Sequence, residues 1–261
     1  MRKRELLNGV VNRIALCGIE LEGGWHEPVK YYDIHNDASV KFPAPAQKYI
    51  IDPQTLQKML WIDPNAPPMP RYDKGEIASN ALTVTQVETF MRHAYPHLVN
   101  DTCGLHVHMS FHHKLNYSRV MSKEYMHFMI GEIRAWGTQN NIPLDHMLWN
   151  RLNPEHPWTK QHCAHVFLGD KQVLSKKKDY NSRGTAHSRY TFINYPEAML
   201  HTVECRGLPM FEKVDEALSA VMCVLTATNR FLSKIRQREQ KVPAQIIERD
   251  TSYEEIGTVV L

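Results

Sequence analysis

Three short segments alternate apolar with chemically reactive side chains, and this alternation constrains the fold more than any other feature of the chain. In GIELEGG, Ile19 and Leu21 fall on one side of an extended strand, and Glu20 and Glu22 on the other. In GLHVHMSF the apolar set is Leu105, Val107 and Met109, opposite His106, His108 and Ser110. In LHTVECRG, His201, Val203 and Cys205 form an imperfect apolar set opposite Thr202, Glu204 and Arg206. A strand of this kind buries one face and leaves the other free. The wet face of a solvated sheet is usually Lys, Thr, Ser and Gln, not paired Glu, paired His and a single Arg. Each motif alone is also compatible with a solvated Glu-x-Glu or a structural His-x-His; the three together carry the signal.

Further strand patterns run over 13–22, 34–40, 76–82, 189–195 and 200–206. Helical periodicity covers Val84 to Leu98, with Thr83 or Thr85 as cap, then Ser118 to Trp136, with Ser122 and Glu132 in the same segment, and Val214 to Ile235. The expected fold is therefore α+β, a mostly antiparallel sheet with helices on one face. The Pro-rich stretch IDPNAPPMPR at 62–71 reads as a surface loop, so the 261 residues are expected to form one domain, with a core over about 13–238 and a tail over 239–261.

Composition narrows the function. Lys and Arg total 31 against 28 Asp and Glu, a formal charge of +3, which does not imply a nucleic-acid partner. The N-terminal MRKRELLNGVV lacks an apolar signal region, and no run reaches the ~18 apolar residues of a membrane span, so a cytoplasmic protein with no membrane partner is expected. Five cysteines with no CxxC pair predict free thiols. If the three reactive faces converge, Glu20, Glu22 and Glu204 supply hard oxygen ligands and His106 an imidazole, a set suited to Mg²⁺ or Mn²⁺. Without a cation such carboxylates repel one another. His108, Ser110 and Arg206 are donors of the kind a polyphosphate needs.

In order along the chain, these motifs resemble the amidoligase family, carboxylate-amine ligases related to glutamine synthetase and glutamate-cysteine ligase. Gly18-Ile-Glu20-Leu-Glu22 is similar to the family's first metal strand, Asp37-Ala-Ser39 to its Asp-Gly-Ser motif, and Glu76-Ile-Ala-Ser79 to its Glu-Ile-Val-Ser segment. Cys103-Gly104-Leu-His106-Val-His108-Met-Ser110 resembles the glycine-histidine strand, also as glutamine synthetase has it. Arg189-Tyr190 with Asn194, and Thr202-Val-Glu204-Cys-Arg206, resemble the closing Arg-Tyr, Asn and Glu-Phe-Arg elements. The resemblance spans Gly18 to Gly207. Asp37-Ala-Ser39, Ser79-Asn80 and Cys205 depart from the family pattern, which has Asp-Gly-Ser, Ser-Pro and an aromatic residue.

The resemblance implies a glutamine-synthetase-like catalytic domain with a curved sheet, ATP and two or more Mg²⁺ ions. By matched position, Glu20, His106 and Glu204 would hold the metal between the β- and γ-phosphates, and Glu22 a metal nearer the acceptor carboxylate. His108 and Ser110 would touch nucleotide phosphates, and Arg206, with Arg189, would stabilise the transferring γ-phosphoryl group. The implied reaction forms an amide of peptide or isopeptide type through an acyl phosphate, from a small-molecule or peptide carboxylate and an amine. Asp37 is the candidate base, with His35 competing. The alternatives are another phosphoryl transfer of guanidino-kinase type, a non-catalytic nucleotide or peptide module, and a zinc hydrolase on His106 and His108. The oligomeric state is open.

Several other features have both a functional and a plain reading. The basic stretch Ser175 to Gly184 reads as a phosphate lid or a solvated charge run, and Arg151 as a carboxylate clamp or loop packing. His112, His113, His162 and His165 lack the thiolates and carboxylates of a settled zinc site.

Overall fold

The computed structural model describes residues 13–25, 29, 32–35, 37, 40, 73–165, 191–194 and 202–241. Five antiparallel strands, β1 (Ile14–Trp25), β2 (Asp73–Ala78), β3 (Gly104–Phe111), β4 (Ile193–Asn194) and β5 (Val203–Pro209), form one sheet in the order β2-β1-β3-β5-β4. Among the described residues six helices accompany it: α1 (Val84–Ala94), α2 (Leu115–Val120), α3 (Lys123–Gln139), α4 (Met147–Arg151), α5 (Pro157–His162) and α6 (Val214–Lys241). The protein is α+β with an open antiparallel sheet.

Alternation decides how the sheet is covered. Ile19, Leu21, Leu105, Val107, Met109, Val203 and Cys205 are fully or almost fully buried and join the apolar faces of α1, α3 and α6 in one core. At the centre of that core, Tyr125 and Thr228 share a hydrogen bond of 2.6 Å, and Thr228 Oγ1 lies 3.3 Å from Met109 Sδ. None of the described helices is long and apolar enough to cross a membrane.

The structure moves several expected boundaries. α1 stops at Ala94 because Tyr95 precedes Pro96 and is extended, with φ −61° and ψ 135°. The helix expected over Ser118–Trp136 is two helices. Ser122 is extended and its hydroxyl accepts from the Tyr125 amide at 3.1 Å, which starts α3 anew. β2 begins three residues earlier than its pattern and ends at Ala78. Ser79 still bonds to Ile19, its amide donating to the Ile19 carbonyl and its hydroxyl accepting from the Ile19 amide, each at 2.9 Å, and main-chain pairing with β1 returns at Leu82, whose amide and carbonyl both pair with Cys17. α4 and α5 were not expected at all. They have five and six residues, too few to show a helical period. Of the expected strand over 34–40, His35 makes an isolated bridge to Glu76. The strand expected over 189–195 is described at Ile193–Asn194, and α6 runs past 238 to Lys241, leaving 242–261 outside the described residues.

Candidate metal and phosphoryl site

Strand register builds the site. The β1–β3 pairing sets Glu20 opposite His106 and Gly18 opposite His108, while β3–β5 pairing sets His108 opposite Glu204. β2 brings Glu76 opposite Glu22, and β4 brings Asn194 opposite Glu204. Side chains more than eighty residues apart in sequence therefore meet on the face of the sheet opposite the core.

Their contacts are close. His106 Nδ1 lies 2.9 Å from Glu20 Oε2 and 3.4 Å from Glu204 Oε1, and its Nε2 is 3.7 Å from Glu22 Oε1. His108 Nε2 is 2.9 Å from Glu20 Oε1 without an aligned hydrogen bond, and its Nδ1 is 3.0 Å from the Thr202 hydroxyl. Arg206 donates to Glu204 Oε1 at 2.5 Å, and Asn194 donates to Glu204 Oε2 at 2.8 Å. Glu22, His106, His108 and Glu204 are all buried.

This environment sets the charges. Burial alone would raise the Glu20 carboxyl, but the hydrogen bond with His106 and the close approach of His108 hold it far below the ordinary carboxylate range. Burial also opposes ionisation of Glu204, where Arg206, His108 and His106 prevail and lower it. His108 is raised: burial works against its charged form, and the Glu20 and Glu204 carboxylates outweigh burial. In the same way Arg206 is desolvated yet held protonated by Glu204, Glu22 and Glu20. Glu76 goes the other way. Burial, then the charges of Glu20 and Asp37, push its carboxyl up to about 7.

Two groups of ligand atoms result. Atoms of Glu20, His108 and Glu204 lie within 4.8 Å of one another, as do those of Glu22, Asp37 and Glu76. The donor set fits a divalent cation on two observations of this structure: carboxylate oxygens crowd together, and a buried His108 nitrogen lacks an aligned hydrogen bond. The first group contains His108 where the resemblance places His106. His106 stands between the groups, near Glu20 on one side and Glu22 on the other.

The remaining expected residues are placed as follows. Asp37 is half-buried in the second acidic group. Ser110 is engaged with β1: its hydroxyl donates to the Leu16 carbonyl and accepts from the Leu16 amide, both at 3.1 Å, beside a register shift in the β1–β3 pairing. Arg189 and the basic stretch 175–184 lie outside the described residues. Arg151 is buried. It donates to the Leu208 and Cys103 carbonyls, each at 2.9 Å, and its guanidinium lies 4.2 Å from the Trp158 ring centroid. With both terminal nitrogens bonded to main chain, Arg151 is packing and not a carboxylate clamp. His112, His113, His162 and His165 join neither ligand group among the described residues.

Sequence reasoning missed three contributors. Glu76 shares the site face only through its β2 register, although the period-2 pattern of Lys74, Glu76 and Ala78 held the clue. Asn194, in the sequence only part of a motif, donates to Glu204 through the β4–β5 register. Gly104 matters because a Cβ there would lie 2.6 Å from His106 Nε2 and 3.0 Å from Glu22 Oε2. No family model, curated protein or solved structure matches the chain.

Proposed function

We propose that this protein is an ATP- and Mg²⁺-dependent carboxylate-amine ligase with a glutamine-synthetase-like catalytic sheet, joining a small-molecule or peptide carboxylate to an amine. The observation that supports it most is the adjacency of two acidic ligand groups on one sheet face, Glu20, His108 and Glu204 beside Glu22, Asp37 and Glu76, bridged by His106. One group suits a polyphosphate-bound cation, and the other a cation shared with the acceptor carboxylate. When bound, Mg²⁺ would neutralise polyphosphate charge so that a carboxylate can approach the γ-phosphoryl group.

The chain's own residues supply the rest. Arg206, held by Glu204 at 2.5 Å, offers its fixed positive charge where a transferring phosphoryl group needs it. Asn194 and Arg206 together fix the two oxygens of Glu204. Asp37, half-buried and itself a member of the second group, is the base that takes the proton of the attacking amine. The amide forms when that amine displaces phosphate from the activated carboxyl.

The test is a Mg²⁺-dependent ADP-release screen across amino acids and short peptides, with mass detection of the joined product. An amide product with stoichiometric ADP is expected. A phosphorylated guanidino product would replace this reading with a kinase, and no ADP with any substrate would leave a binding module. Zinc in the purified protein, together with hydrolysis, would favour a hydrolase.

A further inference from the structure

The two histidines of β3 are held by different partners. His106 Nδ1 shares a hydrogen bond of 2.9 Å with Glu20 Oε2. His108 turns its Nδ1 the other way, to the Thr202 hydroxyl at 3.0 Å, one residue before β5 begins. That contact decides which ring nitrogen of His108 faces the carboxylates. Its Nε2 lies 2.9 Å from Glu20 Oε1 and 3.9 Å from Glu204 Oε1, buried and out of line for a hydrogen bond. A buried nitrogen aimed between two carboxylate oxygens is placed to share a cation with them.

Thr202 completes this arrangement from behind. An imidazole that binds a cation through Nε2 keeps its proton on Nδ1 and needs an acceptor there, which the Thr202 hydroxyl provides. The donors of the two ligand groups then differ in kind. Glu20, His108 and Glu204 offer a nitrogen with their oxygens, whereas Glu22, Asp37 and Glu76 offer oxygen alone. Mg²⁺ is a hard ion that keeps to oxygen ligands, and Mn²⁺ takes imidazole beside carboxylate more readily.

We propose that the first ligand group binds Mn²⁺ in preference to Mg²⁺ through His108 Nε2, and that Thr202 is the positioning residue that presents this nitrogen. Mg²⁺ enters the same group more weakly. The inference rests on the cation face of the ligase reading and deepens it by dividing the two groups between two ions.

The test is addition of less than one equivalent of Mn²⁺ to the chelator-stripped full chain without nucleotide, followed by electron paramagnetic resonance of the bound ion. Nitrogen modulation of the spin echo, the signature of an imidazole ligand, is expected in the unaltered protein and should disappear in His108→Gln. Mg²⁺ in about tenfold excess should leave the ion in place. Thr202→Val should weaken Mn²⁺ binding about tenfold, the scale for an outer partner of a ligating histidine, and Thr202→Ser should restore it. Thermal melts establish that each variant is folded; should His108→Gln fail to fold, the echo of the unaltered protein and the two Thr202 variants decide. Bound Mn²⁺ without nitrogen modulation, modulation that persists in folded His108→Gln, displacement by tenfold Mg²⁺, or unaltered Mn²⁺ affinity in folded Thr202→Val overturns the proposal and leaves the ligase reading standing. Absence of any bound Mn²⁺ overturns the proposal and removes the cation from this face as well. The expected modulation without ADP release from any substrate supports the proposal and removes the ligase reading alone.

Discussion

The amide of Gly104 donates to Glu22 Oε2 across 2.5 Å, so the first residue of β3 fixes the orientation of a carboxylate on β1. The same position leaves no room for a side chain, since a Cβ would lie 2.6 Å from His106 Nε2 and 3.0 Å from Glu22 Oε2. Main-chain donor and missing side chain act on one site.

Gly104→Ala should therefore push Glu22 and His106 apart. We expect a loss of about 1–3 kcal/mol, the usual cost of overpacking, together with weakened Mg²⁺ binding. Urea unfolding with and without Mg²⁺ checks this. Unaltered stabilisation by Mg²⁺ would show that Glu22 and His106 do not need their present spacing.

Glu20→Ala and Glu204→Ala each remove a carboxylate from the first ligand group. In the unaltered protein, MgATP at 100 times its dissociation constant should stabilise the fold by about 2.7 kcal/mol, a rise of a few degrees in melting temperature. The shift should vanish in both variants. Differential scanning fluorimetry reads it, and an undiminished shift in both would remove the cation from this face.

Arg151 tests the scaffold beneath the site. Its guanidinium ties the Cys103 carbonyl, one residue before Gly104, to the Leu208 carbonyl on β5. Arg151→Met takes one donor from each of two buried carbonyls, of which Cys103 keeps the Met210 amide at 3.0 Å, at a cost of about 1–3 kcal/mol. Arg151→Lys should recover only part of this, because an ammonium lacks the planar fork. Chemical denaturation of both variants compares them; equal stability of Arg151→Met and the unaltered protein would contradict the packing role.

Glu76 makes stability depend on pH. Its carboxyl is raised from the ordinary 4.5 to about 7 in the folded protein, so its contribution is complete below about 4.5 and is lost as pH rises through 7. In EDTA, stability should fall by about 1 kcal/mol between pH 5 and 7.5, after allowing for solvent screening. Glu76→Gln removes this contribution. Mg²⁺ should reverse the trend by replacing the proton, with proton release on binding near pH 7. Melting temperatures at several pH values, with and without Mg²⁺, measure both effects; a Glu76→Gln profile identical to that of the unaltered protein would exclude this residue as the source.

Much of this arrangement was legible in the alternation itself. β3 could be read residue for residue because both of its faces are pure in type: Leu105, Val107 and Met109 against His106, His108 and Ser110. Register was less accessible. Ser110 belongs to the reactive face by parity, yet its hydroxyl bonds to Leu16 where the pairing shifts, and a local alternation cannot announce such a shift. Glu76 is obscured by an irregularity: the strand ends at Ala78 while Ser79 and Leu82 still bond to β1, so the pattern reads as one longer strand set three residues too late. Arg151 is buried by Trp158 and two distant carbonyls, contacts that exist only in three dimensions.

The pairing of His108 with both Gly18 and Glu204 has a consequence for how the protein comes into being. The first ligand group draws on three separate strands, and β5 arrives roughly a hundred residues after β3. Such long loop closures are the slow events of folding. The Glu20, His108 and Glu204 group is thus complete only once β5 has docked beside β3.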